Sequence, residues 1–505
     1  MIRLRRILSA VAAALRMFSF AFLLPVPLAM LFEERTVPFV LGLHVPVTVT
    51  PFLTSFLVAV LCWVPLRLAT RSAQDEDLSD REGVLAIGLG WLSATLLATL
   101  PFTFTGHTRY PIDAWFEAMS GFTGTASTTL SGYDALPESL VFWRALLPWM
   151  GGLAMIVLTV ALLSRLTHGA MPTMQGTGVS GGARLKPKLA EAARGLWLMY
   201  LAVTGALALA LATVLWFRHG LTPLDAGFQG LVQAMGIYAN GSIADPAGPW
   251  PGAGDWAFDA LLVTGMLLGA TNFALVFSVL RKGDLRRPTE SPEWRLFAGA
   301  FLAGSLLVAL LLLRAGRTLG YALHQSTVTV ASLYSGTGLW TVDYAAWPAA
   351  VLLVLLLAML AGGSSGSAAG GIKAFRWLIL GKLVLRELRK ILHPKAVMPV
   401  RLGSTVVKEE SVAAVMAFFF TYLALWTAGT IALLALEPSL DATDSAAAAA
   451  SALGNVGGGF GALGPTHGFA ALGVSAKVVL STLMWLGRME IFAALIVLNP
   501  FSWRT

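Results

Sequence analysis

Residues 120–137 read SGFTGTASTTLSGYDALP, a run rich in glycine, serine and threonine set inside an otherwise apolar chain. Before it stands PIDAWFEAMS (111–120), about half the roughly 20 residues needed to cross a bilayer as a helix. Three further stretches repeat the arrangement: MGIYANGSIADP (235–246), LYSGTGLWTVDY (333–344) and LGNVGGGFGALGP (453–465). Each follows its own short segment: LTPLDAGFQGLVQAM (221–235), LGYALHQSTVTVASL (319–333) and DATDSAAAAASAL (441–453). Aligned by eye, Ala126, Gly241, Gly338 and Gly457 fall at matching places, 115, 97 and 119 residues apart. A long apolar helix precedes every short segment, and a second long helix and a basic loop follow every polar stretch. Recurrence at so even an interval marks one module used four times.

The short segments are predicted as half-helices. Asp113, Asp225 and Asp444 stand near the starts of three of them, where a carboxylate satisfies free N–H groups and complements the helix dipole. Such segments would enter from the outer surface and stop at mid-membrane. The irregular backbone that follows is tolerated at that depth only when buried in protein or lining water. Four loops meeting on one axis satisfy both conditions and offer carbonyl oxygens that replace a cation's hydration shell. Glycine supplies the backbone angles such a ring needs.

Composition places the whole chain in a membrane. Of 505 residues, 56% are hydrophobic and 12% charged, about half the charged share of an ordinary soluble domain. Hydropathy predicts roughly ten to twelve full spans plus shorter apolar stretches, with leading spans near 8–31 and 52–70. The N-terminal MIRLRRILSAVAAALRMF reads as a first span rather than a removed leader, for want of a small-x-small cleavage site. The single cysteine, Cys62, excludes an intrachain disulfide and a thiolate metal cluster. The net charge of +8 is concentrated at Arg3, Arg5 and Arg6; at Arg184, Lys186 and Lys188; at Arg281, Lys282, Arg286 and Arg287; and at Lys382, Arg386, Arg389, Lys390 and Lys395. By the positive-inside rule these segments, and both termini, face the cytoplasm, which requires an even number of spans. That placement explains the basicity without nucleic acid and presents the loops to membrane lipids or to a cytosolic partner.

A second interruption, AGGSSGSAAGGIK (361–373), divides WPAAVLLVLLLAML from AFRWLILGKLVL. It reads either as a kink packed against a neighbour or as a soft plug. Arg488 lies within VVLSTLMWLGRMEIFAALIVL (478–498), expected to be one continuous helix. A charge at that depth faces a cavity or a partner, and Glu490, two residues on, points to another helix face.

Together these motifs resemble the Trk/Ktr/HKT superfamily of potassium transporters, and most closely its TrkH-type membrane subunit. SGFTGTASTTLSGYDALPESLVFWRALLPWMGG resembles that family's first filter region and following helix, and GTGLWTVDYAAWP its third. GGSSGSAAGGIKAFR resembles its intramembrane loop, and LGNVGGGFG with LGRMEIF its fourth filter and last helix. The likeness runs from about residue 80 to the C-terminus.

The resemblance implies an all-α polytopic membrane protein: four helix–pore-loop–helix repeats in pseudo-fourfold arrangement around one pore, plus two N-terminal transmembrane helices. It divides the chain into leading helices (1–75), repeats at 76–188, 189–290, 291–400 and 401–505, and a gating loop at 361–373. It implies potassium uptake across the bacterial inner membrane, by channel-like flux or ion symport, with no enzymatic activity and no covalent cofactor. The filter would consist of Thr123, Gly124, Thr125 and Ala126; Ala239, Asn240 and Gly241; Gly336, Thr337 and Gly338; and Asn455, Val456 and Gly457. The gate would comprise Gly362, Gly363, Ser364, Ser365, Gly366, Gly370, Gly371, Lys373 and Arg488, with the glycines as hinges, Lys373 at the exit and the arginine opposing cations. Implied partners are a second copy of the chain and a cytosolic nucleotide-binding regulator of the TrkA type.

Ala126 departs from the family pattern, which has glycine there. Its methyl group disfavours positive φ and is expected to turn one carbonyl out of the ring, admitting sodium as well as potassium. Asn240 would add a carbonyl ligand or merely form a turn. Two rival functions leave other traces. A secondary transporter coupling H+ or Na+ to another solute would carry buried acidic groups, for which Glu490 is the main candidate. An intramembrane enzyme using GGSSGS would require a base beside its serine, yet all seven histidines fall in loops or at span ends.

Overall fold

In each unit the sequence builds a long helix, a short one, a loop and a second long stretch. The computed structural model describes residues 4–32, 36–38, 44–73, 78–130, 132, 136–166, 185–242, 245–284, 286–396, 398–403 and 405–503. Arg3 and Arg184 of the basic clusters lie outside the described residues. Helix α1 (Leu4–Ser19) continues through a 3-10 turn into α2 (Pro25–Phe32), and α3 (Val49–Ala69) packs against α1. These lead into α4 (Asp80–Phe104), α5 (Pro111–Thr123) and α6 (Glu138–Leu166). The second unit comprises α7 (Leu185–His219), α8 (Pro223–Tyr238), α9 (Trp256–Gly269) and α10 (Phe273–Lys282), with the single turn α11 (Arg287–Glu290) after it. The third comprises α12 (Pro292–Arg314), α13 (Leu319–Ser335), α14 (Ala349–Leu360) and α15 (Ala374–Leu392). The last comprises α16 (Glu409–Leu436), α17 (Ala442–Gly454), α18 (Val474–Arg488) and α19 (Phe492–Leu498).

The four short helices close a ring. Helix α5 packs between α4 and α6 of its own unit and also against α18; α8 sits between α7 and α9 and against α6. Likewise α13 touches α12, α14 and α9, and α17 touches α16, α18 and α14. Every short helix thus meets the second helix of the preceding unit, and the fourth unit hands on to the first. Small residues permit this crowding: Ala447, Ala448, Ala449 and Ala450 of α17 are all buried. Large apolar side chains such as Leu353, Phe420 and Ile431 point outward, as a lipid-facing surface requires.

Among the described residues six helices are long and apolar enough to span a bilayer, or up to eight if two sharply bent pairs are each one span. Further apolar sequence lies in the half-helices, in the bent pairs and in the 29-residue α6. The first bent pair is α9 and α10, at 109°; Asn272 caps α10 by accepting from Ala274 N at 2.8 Å and Leu275 N at 3.2 Å. The second is α18 and α19, at 120°, so the continuous helix expected over 478–498 breaks at Glu490 and Ile491, with φ of 57° and 53°. A β-branched residue in that region is strained and persists only where packing imposes it.

The carboxylates near the half-helix starts occupy the third helical position rather than the cap. Asp113 Oδ2 accepts from Tyr110 N at 3.2 Å, Thr222 caps α8 through Asp225 N, and Asp441 caps α17 through Asp444 N. Asp113 also forms a buried 2.7 Å ion pair with Lys477 of α18, fastening the fourth unit to the first.

Candidate functional site

The loops that leave the four half-helices meet one another, and their hydrogen bonds fix how they correspond. Thr125 N reaches Ser120 O at 2.8 Å, Gly241 N reaches Gly236 O at 3.0 Å, Thr337 N reaches Ser332 O at 2.8 Å and Val456 N reaches Ser451 O at 2.8 Å. Each bond spans five residues, so these four positions are equivalent. The residue before each lies in the left-handed region: Gly124, Asn240, Gly336 and Asn455, with φ of 71°, 49°, 80° and 52°. The counterpart of Ala126, Gly338 and Gly457 is therefore Ser242. The by-eye register that placed Gly241 there is one residue off, because the bond from Gly241 N to Gly236 O makes Asn240, not Ala239, the left-handed counterpart of Gly124, Gly336 and Asn455.

Ala126 adopts φ of 64°, beside 71° at Gly338 and 93° at Gly457. Its methyl group does not prevent positive φ; the surrounding packing holds it in the left-handed region, at a strain of about 1–2 kcal/mol. Contacts between loops run around the whole ring. A β-carbon on Gly338 would overlap the Val456 carbonyl, and one on Gly457 would overlap that of Thr125. Ser242 N donates to Thr337 O at 3.1 Å, and Gly124 and Gly241 lie against each other. A cavity of about 30 Å³ opens on the ring, lined in part by Ala126, Gly338, Gly457, Trp340, Tyr344 and Phe469. Among the described residues no charged side chain lines it, so backbone and hydroxyl dipoles set its potential.

The first loop has a support that sequence reasoning missed. Glu117 of α5, 1% exposed, accepts from Thr128 Oγ1 at 2.8 Å, Thr129 Oγ1 at 3.0 Å and Leu130 N at 3.2 Å. Arg144 of α6 closes the set at 3.2 Å from the same carboxylate. Glu490 was thus not the main buried acid. The signal available was a lone glutamate in an apolar half-helix, which only a buried partner stabilises.

Residues 361–373 run between α14 and α15, docked in the bend between α9 and α10. Ser364 N donates to Ala270 O at 2.9 Å, Ala368 N to Gly269 O at 3.1 Å, and Phe273 N to Gly366 O at 3.0 Å. Asn272 Nδ2 donates to Ser365 O at 2.6 Å. From α12, Glu293 accepts from Ser365 N at 2.6 Å and Ser365 Oγ at 2.8 Å. The ends of the loop pair as a short parallel bridge, Ala361 with Ile372. Several glycines serve close approach as well as turning: a β-carbon on Gly362 would overlap the Gly370 carbonyl, and one on Gly370 the Gly454 carbonyl. Gly366 and Gly371 take φ of 72°, and Gly363 lies close against Ala270 and Ala369. Lys373 is buried and donates to Ala369 O.

Arg488 joins the two regions. It is 2% exposed, its Nη1 donates to Ala368 O at 2.6 Å, and the same atom would sit 3.5 Å from a β-carbon on Gly124. Glu490 leaves this cluster and pairs with Arg376 at 2.6 Å, whose guanidinium lies 3.7 Å over the Phe418 ring. Arg488 thus lies between the ring of four loops and the 361–373 loop.

Known proteins resemble this chain in sequence and in fold. The family model TrkH, described as a cation transport protein, matches residues 50–324 and 315–504. Trk system potassium uptake protein TrkH of Vibrio parahaemolyticus is 31% identical over 99% of this chain and 99% of its own. The TrkH protein of Escherichia coli K12 is 30% identical over 90% of this chain and 91% of its own. The crystal structure of the potassium transporter TrkH from Vibrio parahaemolyticus matches with a TM-score of 0.85 and 30% identity over 100% of both chains.

Proposed function

This chain belongs to the TrkH family of cation transport proteins, and from that premise we propose that it takes up potassium across the bacterial inner membrane. The ion passes through the carbonyl ring of residues 123–126, 239–242, 336–338 and 455–457. The observation that carries this reading is the closed circuit of contacts among the four loops. Main-chain oxygens held by neighbours replace a hydration shell without rearranging. Its relatives are named for potassium uptake, a transport function and not an enzymatic one.

The 361–373 loop obstructs the path, and Arg488 opposes cation passage while its guanidinium holds the Ala368 carbonyl. Release of both constitutes opening, under a cytosolic nucleotide-binding regulator of the TrkA type that docks on the basic face of a homodimer. Both termini then lie in the cytoplasm. Ala126, held in a strained conformation, is where discrimination against sodium weakens; strict Na+ exclusion by purified protein in liposomes with Ala126 intact would remove that part. A coupled transporter is less well supported, since Glu117, Glu293 and Glu490 are each engaged by neighbouring groups.

Growth of a potassium-uptake-deficient bacterium on low K+, with and without the co-expressed regulator, tests the proposal. Rescue that depends on the regulator is expected. Failure to rescue, together with no Rb+ flux in liposomes containing chain and regulator, overturns it.

A further inference from the structure

The ring is not fourfold in its side chains. Asn240 and Asn455 stand at equivalent left-handed positions in the second and fourth loops, where the first and third loops have Gly124 and Gly336. Both asparagines are 1% exposed, and both use their amide N–H groups in the same way. Asn240 Nδ2 donates to Thr337 Oγ1 at 3.0 Å and to Met266 O at 2.9 Å. Asn455 Nδ2 donates to Thr125 Oγ1 at 3.0 Å and to Met484 O at 2.9 Å. The two threonines are themselves equivalent, and each is held from behind, Thr125 by Thr123 Oγ1 at 2.8 Å and Thr337 by Ser335 Oγ at 2.7 Å. The asparagine Oδ1 atoms face Gly269 of α9 and Gly487 of α18, the outer helices of their own units. They do not serve as ligands of an ion on the axis.

We propose that Asn240 and Asn455 are a matched pair of positioning residues that clamp the second loop to the third and the fourth to the first, and thereby set the ion preference of the ring. Among the described residues the other two seams have no asparagine clamp at this level and meet there by backbone contact: Gly124 against the Asn240 carbonyl and Gly336 against that of Asn455. At the level of these left-handed residues the filter is therefore a pair of pairs, with amide hydrogen bonds at two opposite seams and glycine packing at the others; away from that level Asp245 Oδ1 accepts from Gly132 N at 2.9 Å and Tyr344 bonds Gly459. This explains why loops one and three need threonine at 125 and 337 while loops two and four have Gly241 and Val456 there. A clamp of this kind fixes the separation of carbonyls across a seam, and that separation distinguishes K+ from the smaller Na+.

The inference rests on the reading of these loops as the ion filter. Its test compares K+ and Na+ flux through purified full-length variants in liposomes. Asn240→Gly and Asn455→Gly keep the left-handed backbone and remove the amide; Thr337→Val and Thr125→Val keep the volume and remove the acceptor. Each single change should lower the K+ to Na+ flux ratio roughly fivefold, the scale of one lost hydrogen bond. Within a seam, Asn240→Gly with Thr337→Val should do no more than either alone. Across seams, Asn240→Gly with Asn455→Gly should multiply. Equal multiplication within and across seams, or an unchanged ratio in the threonine variants, overturns the clamp. Gly457→Ala separates the two ideas: a changed ratio there with unchanged clamp variants leaves the filter standing, and an unchanged ratio in all of them removes both.

Discussion

The ring of four loops and the 361–373 loop are built from the same small residues, yet they are anchored differently. The ring's loops bind one another, Ser242 and Asn240 to Thr337 and Asn455 to Thr125, as well as the helices of their own units. The 361–373 loop binds elements outside itself: the α9–α10 bend, Glu293 of α12 and Arg488 of α18. A set of loops closed on itself resists deformation from any one direction. A loop tethered to several separate helices is released when those helices move. Composition therefore does not distinguish the two regions; the destination of the hydrogen bonds does.

The comparison breaks most visibly where the ring is packed tightest. Gly338→Val pushes a branched side chain into the Val456 carbonyl, and overpacking of 1–3 kcal/mol or more should cut Rb+ uptake by roughly tenfold or beyond. Uptake at the parental rate would show that the seam is slack. Next comes Arg488→Ala, which deletes the charged donor to Ala368 O. A bond of this class is worth about 1.5–3 kcal/mol, so regulator-independent leak should rise roughly ten- to hundredfold; flux identical to the parent assigns the residue to structure. Glu293→Gln keeps one acceptor for Ser365 but loses the charge. Leak through liposomes without regulator should rise about fivefold, the difference between charge-assisted and neutral bonds. The smallest effect is Ala126→Gly, which relieves left-handed strain at 64°. A gain of about 1 kcal/mol less the added chain entropy of glycine should appear as a slightly higher melting temperature in detergent. A fall would mean that the methyl group's packing outweighs its strain.

How much was legible can be read from particular residues. The four half-helices were visible because an apolar run of 10 to 15 residues followed by glycine cannot span a bilayer. The 361–373 loop was visible for the same reason. The correspondence of the second loop was not, since Asn240 and Gly241 both suit a turn and only the bond from Gly241 N to Gly236 O decides between them. The bend at Glu490 and Ile491 was hidden because neither residue favours positive φ; tertiary packing imposes it. Glu117 and Glu293 were seen as letters but not as anchors, because their partners, Arg144 and Ser365, are 27 and 72 residues away.

The sequence by itself determined the membrane setting, the fourfold repeat, the half-helices and the family, since each depends on local composition or on spacing along the chain. The tertiary structure alone decided the register of the second loop, the left-handed geometry of Ala126, the asparagine seams and the tethers of the 361–373 loop. Those depend on where a hydrogen bond ends in space, and a donor's partner across the ring is set by how four units close, not by its neighbours in the chain.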